Sequence, residues 1–229
     1  MSTYLLLEIL TSILFFSTVF LAYALFKQVH KTRQCLAINK AIREKSQKVV
    51  IYDNTTMAYN YTYFVRHANG AIVNTRKNKS SISLLIIDID QLEEINIKFG
   101  FPIGDKTLNI VCDAIKSSIR NDDIVGRFGG SGFFVLLNEC DAKGTENVIR
   151  KIDNKLGTKQ VTGMHDESIS FSVKYSSSIA RGRLAQLGTL IENAEEATQR
   201  IKKEKLFYMI TDHNGYPVVL RKKPSLQTA

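Results

Sequence analysis

Two segments hold the residues best equipped for chemistry. Leu84-Leu85-Ile86-Ile87-Asp88-Ile89-Asp90 is an apolar run that ends in two carboxylates. Side chains at i and i+2 of a strand share a face, so Asp88 and Asp90 converge at the strand's end, as oxygen ligands of a hard cation do. Farther on, Arg127-Phe128-Gly129-Gly130-Ser131-Gly132-Phe133-Phe134-Val135-Leu136-Leu137 reads as two apolar strands around a glycine-rich turn. Gly129, Gly130 and Gly132 allow the positive-φ backbone of a tight hairpin. A divalent cation held by carboxylates beside such a turn is equipment for phosphoryl transfer. The competing reading of Asp88 and Asp90 is an ordinary solvated strand end, and the two residues alone do not separate the two.

Spaced positions around these segments do. Asp53, Thr56, Asn60 and Phe64 fit the pattern D-x-L-T-x-L-x-N-R-x-x-F, and Asp88, Asp90, Asn96, Gly100, Gly104, Asp105 and Leu108 fit D-x-D-x-F-K-x-x-N-D-x-x-G-x-x-x-G-D-x-x-L. By this register, from about Tyr52 to Asp212, the chain resembles the GGDEF domain of diguanylate cyclases. These enzymes join two GTP molecules into cyclic di-GMP across a dimer, using two divalent cations. The resemblance implies an α/β (α+β) nucleotidyl-cyclase fold with a ferredoxin-like βαββαβ core.

The resemblance also assigns roles and exposes departures. The family's signature loop supplies a metal-binding carboxylate and a Glu needed for turnover; here, in Gly129-Gly130-Ser131-Gly132-Phe133, Ser131 and Gly132 stand at those places. Asp88 and Asp90 are then a relic metal site, and no residue of this chain is assigned a catalytic role. Asn96 and Asp105 line the implied guanine pocket, and Lys202 falls where the family has a phosphate-contacting lysine. Leu206 occupies an arginine position and Glu93 a lysine position, which weakens phosphate binding. Arg120-Asn121-Asp122-Asp123 begins nine residues before Gly129, where the family's inhibitory product site begins. There an arginine forks onto guanine or phosphate and an aspartate receives guanine N–H groups. The other reading of Arg120 and Asp123 is a solvated turn, and of Lys202, which lies among Lys203 and Lys205, a solvated helix face.

Positioning these residues takes a succession of elements. Hydrophobic periodicity and turn residues predict a helix around Asn60–Thr75, a strand at Ser83–Ile89, a helix at Asp105–Ser118 and the hairpin Ile124–Leu137. A helix near Gly144–Leu156, a strand at Ser168–Tyr175 and a helix at Leu190–Lys205 follow. Phe207–Ile210 and Tyr216–Leu220 flank Asn214-Gly215 as a closing hairpin. The expected division is residues 51–212 for the GGDEF-type domain and 213–229 for the hairpin end and tail.

Length and charge bound the rest. With 229 residues and a net charge of +9, the chain has room for one α/β domain and none for a separate sensory module. Tyr4–Phe26 is apolar except for Glu8 and a few hydroxyls, long enough at about 1.5 Å per residue to cross a ~30 Å hydrocarbon core. Residues 4–26 are therefore read as one transmembrane helix; a cleaved signal peptide is the rival, without a basic region ahead of it. Residues 27–50, a basic helical stalk with Lys27, Lys31, Arg33, Lys40, Arg43, Lys45 and Lys48, place the domain on the cytoplasmic side of a bacterial inner membrane. No aromatic-interleaved basic motif points to nucleic acid. Cys35, Cys112 and Cys140 form no C-x-x-C pair and suit a reducing compartment.

The expected function is a membrane-tethered, catalytically inactive cyclase-like domain in cyclic di-GMP signalling that binds cyclic di-GMP at Arg120 and Asp123. Two alternatives stand beside it: a nucleotide-independent homodimer or heterodimer partner of a GGDEF protein or membrane complex, and an active cyclase or related nucleotidyltransferase. No cofactor is required in the first two, and Mg²⁺ would enter only with GTP in the relic pocket.

Overall fold

The structure, a computed structural model, describes residues 26–30, 32–33, 51–157, 160–163 and 167–221. In chain order the elements of the domain are α1 (Tyr61–Asn78), β1 (Ser81–Asp90), α2 (Leu92–Phe99), α3 (Phe101–Lys116), β2 (Ile124–Phe128), β3 (Gly132–Asn138), α4 (Ala142–Leu156), the short strands β4 (Val161–Thr162) and β5 (Ser168–Ile169), β6 (Ser172–Arg181), α5 (Leu187–Glu204), β7 (Tyr208–Thr211) and β8 (Pro217–Arg221). They build a six-stranded sheet in the order β2-β3-β1-β6-β7-β8, antiparallel throughout except for the parallel pair β6 and β7. Its first four strands with the helices between them are the ferredoxin-like βαββαβ unit expected from the sequence, and β7 and β8 extend it.

β1 reads as a continuous apolar run because helices cover both faces of the sheet. Ile82, Leu84 and Ile86 pack with Phe64, Ala68 and Ile72 of α1 and with Leu190 and Ala194 of α5. Leu85, Ile87 and Ile89 point the other way, to Leu108, Val111 and Ile115 of α3 and Ile149 and Ile152 of α4. The alternation of a strand puts Asp88 and Asp90 on the α1/α5 side, at the end of the central strand.

The opening stretch is structural. The Asp53 carboxylate accepts from the Thr56 amide at 2.9 Å and the Thr56 hydroxyl at 2.7 Å, closing a turn. Asn60 caps α1 by accepting from the Tyr63 amide at 2.8 Å, and Phe64 is fully buried, its ring 5.5 Å from that of Phe134. A Cβ on Gly126 would lie 2.7 Å from the Phe64 side chain, so only glycine leaves room for that ring against β2.

Some expectations need correction. The strand expected at Ser168–Tyr175 is two: Ser168–Ile169 pairs with Val161–Thr162 in a separate small hairpin, and the sheet strand starts at Ser172. α3 begins four residues earlier than expected because Pro102 sits comfortably in a first helical turn. α2 was not anticipated, although Glu93 and Glu94 in its first turn and buried Leu92 and Ile95 are its local signals. Among the described residues no helix is long and apolar enough to cross a membrane. Of the expected span 4–26 only Phe26 is described, and most of the stalk 27–50 and the tail end 222–229 also lie outside the described residues.

Candidate functional site

The strand end that carries Asp88 and Asp90 is fully engaged by its own neighbours. Asp88 is paired in register with Gly132 on one side and Lys174 on the other, and Asp90 with Ser172. The Ser131 hydroxyl donates to Asp88 Oδ1 at 2.8 Å, and Lys202 Nζ, from α5, lies 2.7 Å from Oδ2. Diagonally across the ladder Lys174 Nζ is 2.9 Å from Asp90 Oδ1, and the Ser172 hydroxyl donates to Oδ2 at 2.9 Å. The donor set does not fit a pair of divalent cations. Magnesium-like ions are held by one or two carboxylates together with water and phosphate oxygens; here both carboxylates are already met by ammonium groups, and among the described residues no group of three His, Cys, Asp or Glu side chains could hold a metal.

The glycine-rich turn is clamped from beneath. Arg127 reaches over the Phe133 ring and donates to the carbonyls of Gly132, at 3.3 Å, and Gly130. Burial lowers its pKa from the ordinary value, opposed by Asp53, Cys112 and Asp105. Gly129 holds φ = 59° at the turn. Asn96 and Asp105 come close by way of Gly104: a Cβ there would sit 1.8 Å from Asn96 Oδ1, so the amide lies directly over the glycine that precedes Asp105. Asn96 Oδ1 is buried, with no hydrogen-bond partner among the described residues. Lys202 does not join this pair, being held at Asp88 on the other side of the sheet.

Arg120 and Asp123 border an open cleft of about 1090 Å³. Its opposite wall is α1, which contributes Tyr63, Arg66, His67 and Asn74, with Tyr59 from the preceding loop. The aromatic groups form a ladder: Tyr59 and Tyr63 have ring centroids 4.6 Å apart and Tyr63 and His67 6.0 Å. Asp123 is the staple of its own turn. One of its oxygens accepts from the Arg120 amide and the other from the Asn138 amide, each at 2.9 Å. Arg120 is exposed, and it is its backbone amide that Asp123 holds.

The family model for the diguanylate cyclase GGDEF domain matches residues 50–206. The chain belongs to the GGDEF family. Diguanylate cyclase A of Treponema denticola is 29% identical to it over 160 residues, 69% of this chain and 42% of that protein. Diguanylate cyclase DosC of Escherichia coli K12 is 26% identical over 160 residues, 70% of this chain and 35% of that protein. The chain thus spans less than half the length of these curated relatives. Among solved structures, the GGDEF domain of DgcB from Caulobacter crescentus in complex with c-di-GMP superposes with a TM-score of 0.67 at 18% identity, covering 73% of this chain and 98% of that one, a likeness of fold.

Seen as a GGDEF domain, the site divides into what its sequence signals and what only the fold reveals. Ser131 does reach Asp88, and Gly132 lies directly opposite it. Leu206, for which the resemblance implied an arginine position, is buried with Ala197, Ile201 and Met209. Sequence inspection missed Lys174 and Ser172, whose relation to Asp90 depends on the antiparallel register of β1 and β6. It also missed Tyr63, Arg66 and His67, which lie far from Arg120 in sequence; an aromatic and basic side of α1 was their only signal.

Proposed function

We propose that this GGDEF domain serves cyclic di-GMP signalling as a catalytically silent member of its family, tethered by residues 4–26 to the inner face of a bacterial cytoplasmic membrane, and that it binds cyclic di-GMP in the cleft at Arg120. The observation that carries this is the composition of the cleft: exposed Arg120 and Arg66 with His67 and an aromatic ladder. Guanidinium groups suit phosphates and guanine edges, and aromatic faces suit bases. Asp123 already holds one backbone N–H on each oxygen, and each oxygen keeps a further lone pair for a guanine N–H. Silence as a cyclase is supported by Ser131 and Gly132 in place of two carboxylates and by Leu206 in place of a phosphate-binding arginine.

Calorimetric titration of the purified full chain with cyclic di-GMP tests the reading. Arg120→Ala removes a charge-assisted contact of about 1.5–3 kcal/mol and is expected to weaken binding roughly ten- to hundred-fold. No heat at high micromolar ligand, or equal affinity in the variant, overturns it. The second reading, a nucleotide-independent partner of another GGDEF protein or membrane complex, is favoured by Ile97 and Phe101, which are 80% and 74% exposed at the α2–α3 junction.

A further inference from the structure

All four oxygens of the paired carboxylates are spoken for. Lys202 and Ser131 hold Asp88, and Lys174 and Ser172 hold Asp90, every contact between 2.7 and 2.9 Å. The carboxylates are well shielded, at 14% and 18% exposure, while the lysines approach from outside with 54% for Lys202 and 25% for Lys174. Two adjacent carboxylates at the end of a buried strand repel each other unless cations lie close by. Two lysines supply those cations within the chain, one from the neighbouring strand and one from the helix above. The four charges sum to zero. We propose that Lys174 and Lys202 are built-in counter-ions, which turn the carboxylate pair of this domain into an ion-pair cluster that excludes a divalent metal.

The arrangement excludes a divalent cation for two reasons. A dication entering between Asp88 and Asp90 meets two ammonium groups already at hydrogen-bond distance from its ligands, and repulsion at such range is strong in a partly buried site. It would also have to strip two hydroxyl donors from the same oxygens. Lys174 is the firmer of the two locks: it is the less exposed, and its strand is paired with β1 along its whole length. Lys202, on the last turns of α5, can swing away more easily. The inference does not rest on the cyclic di-GMP reading, because the Arg120 cleft involves none of these four residues.

The test uses thermal unfolding and Mn²⁺ binding by the purified full chain, neither of which depends on turnover. Wild type is expected to unfold at the same temperature in EDTA and in millimolar Mn²⁺. Asp90→Asn, which leaves Lys174 without its charge partner, is expected to lower that temperature equally in both media. Lys174→Met with Lys202→Met is expected to create a Mn²⁺ site at least about ten-fold tighter than any in wild type, with a Mn²⁺-dependent rise in the unfolding temperature. The proposal is overturned if Mn²⁺ stabilises wild type and Asp90→Asn abolishes that gain, or if the folded double variant takes up no more Mn²⁺ than wild type. Should the double variant not fold, the comparison of wild type with Asp90→Asn decides alone.

Discussion

Tyr175 lies within β6, fully buried, with its hydroxyl lacking a hydrogen-bond partner among the described residues. Burial, with a smaller push from Asp153, drives its phenol pKa far above the ordinary value, so the group stays neutral at any physiological pH. A buried hydroxyl without a partner costs about 1–3 kcal/mol relative to its hydrated state. Tyr175→Phe, which keeps the edge-to-face contact with Phe207 at 5.4 Å, is therefore expected to raise stability by about 1 kcal/mol, measured by urea unfolding. An unchanged or lower midpoint would mean that the hydroxyl has found water. Asp123 poses the opposite case: it reads as a ligand group in sequence yet holds its own turn, so replacing it tests folding and binding together. Arg120 is the cleaner probe.

Elements were easier to read than their couplings. The core strand, the hairpin and four of the helices follow from apolar period and turn residues, because each buries one continuous face. The parallel pairing of β7 with β6 and the register that sets Lys174 beside Asp90 are long-range facts that no local pattern carries. α2 escaped notice for a different reason: it is one short helix whose first residue follows Gln91, a non-glycine residue at φ = 60°, so no ordinary capping signal marks its start. Gly126 shows how a single position can couple two elements. Its missing side chain makes room for Phe64 of α1 against β2, since a Cβ would lie only 2.7 Å from the Phe64 side chain, closer than real contacts come. Gly126→Ala is expected to cost about 1–3 kcal/mol by overpacking, and pairing it with Phe64→Leu should recover part of that loss in a double-mutant cycle of denaturant midpoints. Strict additivity of the two would show that the ring and the glycine are not in conflict.

On the scale of the whole molecule, a cyclase needs two such domains to present metal-bound GTP to each other, and this chain's contribution is expected to fail. Purified protein with GTP and Mg²⁺ or Mn²⁺ is expected to yield no cyclic di-GMP by chromatography; accumulation at a rate usual for the family would contradict that. Ser131→Asp with Gly132→Glu is expected to remain silent too. A Cβ at residue 132 would lie 3.0 Å from the Phe128 carbonyl oxygen, a backbone neighbour that yields little, and the lysines at Asp88 and Asp90 would remain.

Leu206 ties this expectation to the architecture. α5 ends with Lys205 at φ = 53°, and the amides of both Lys205 and Leu206 donate to the Ile201 carbonyl. That is a helix stop in which the residue after the left-handed position folds back onto the last turn, and Leu206 does so against Ile201 itself. Leu206→Arg would bury a guanidinium among Ala197, Ile201 and Met209 and loosen the stop that fixes the turn carrying Lys202. Leu206 is thus a keystone as well as a gap in the phosphate site: a residue that could reach phosphate from this position would have to give up closing the helix.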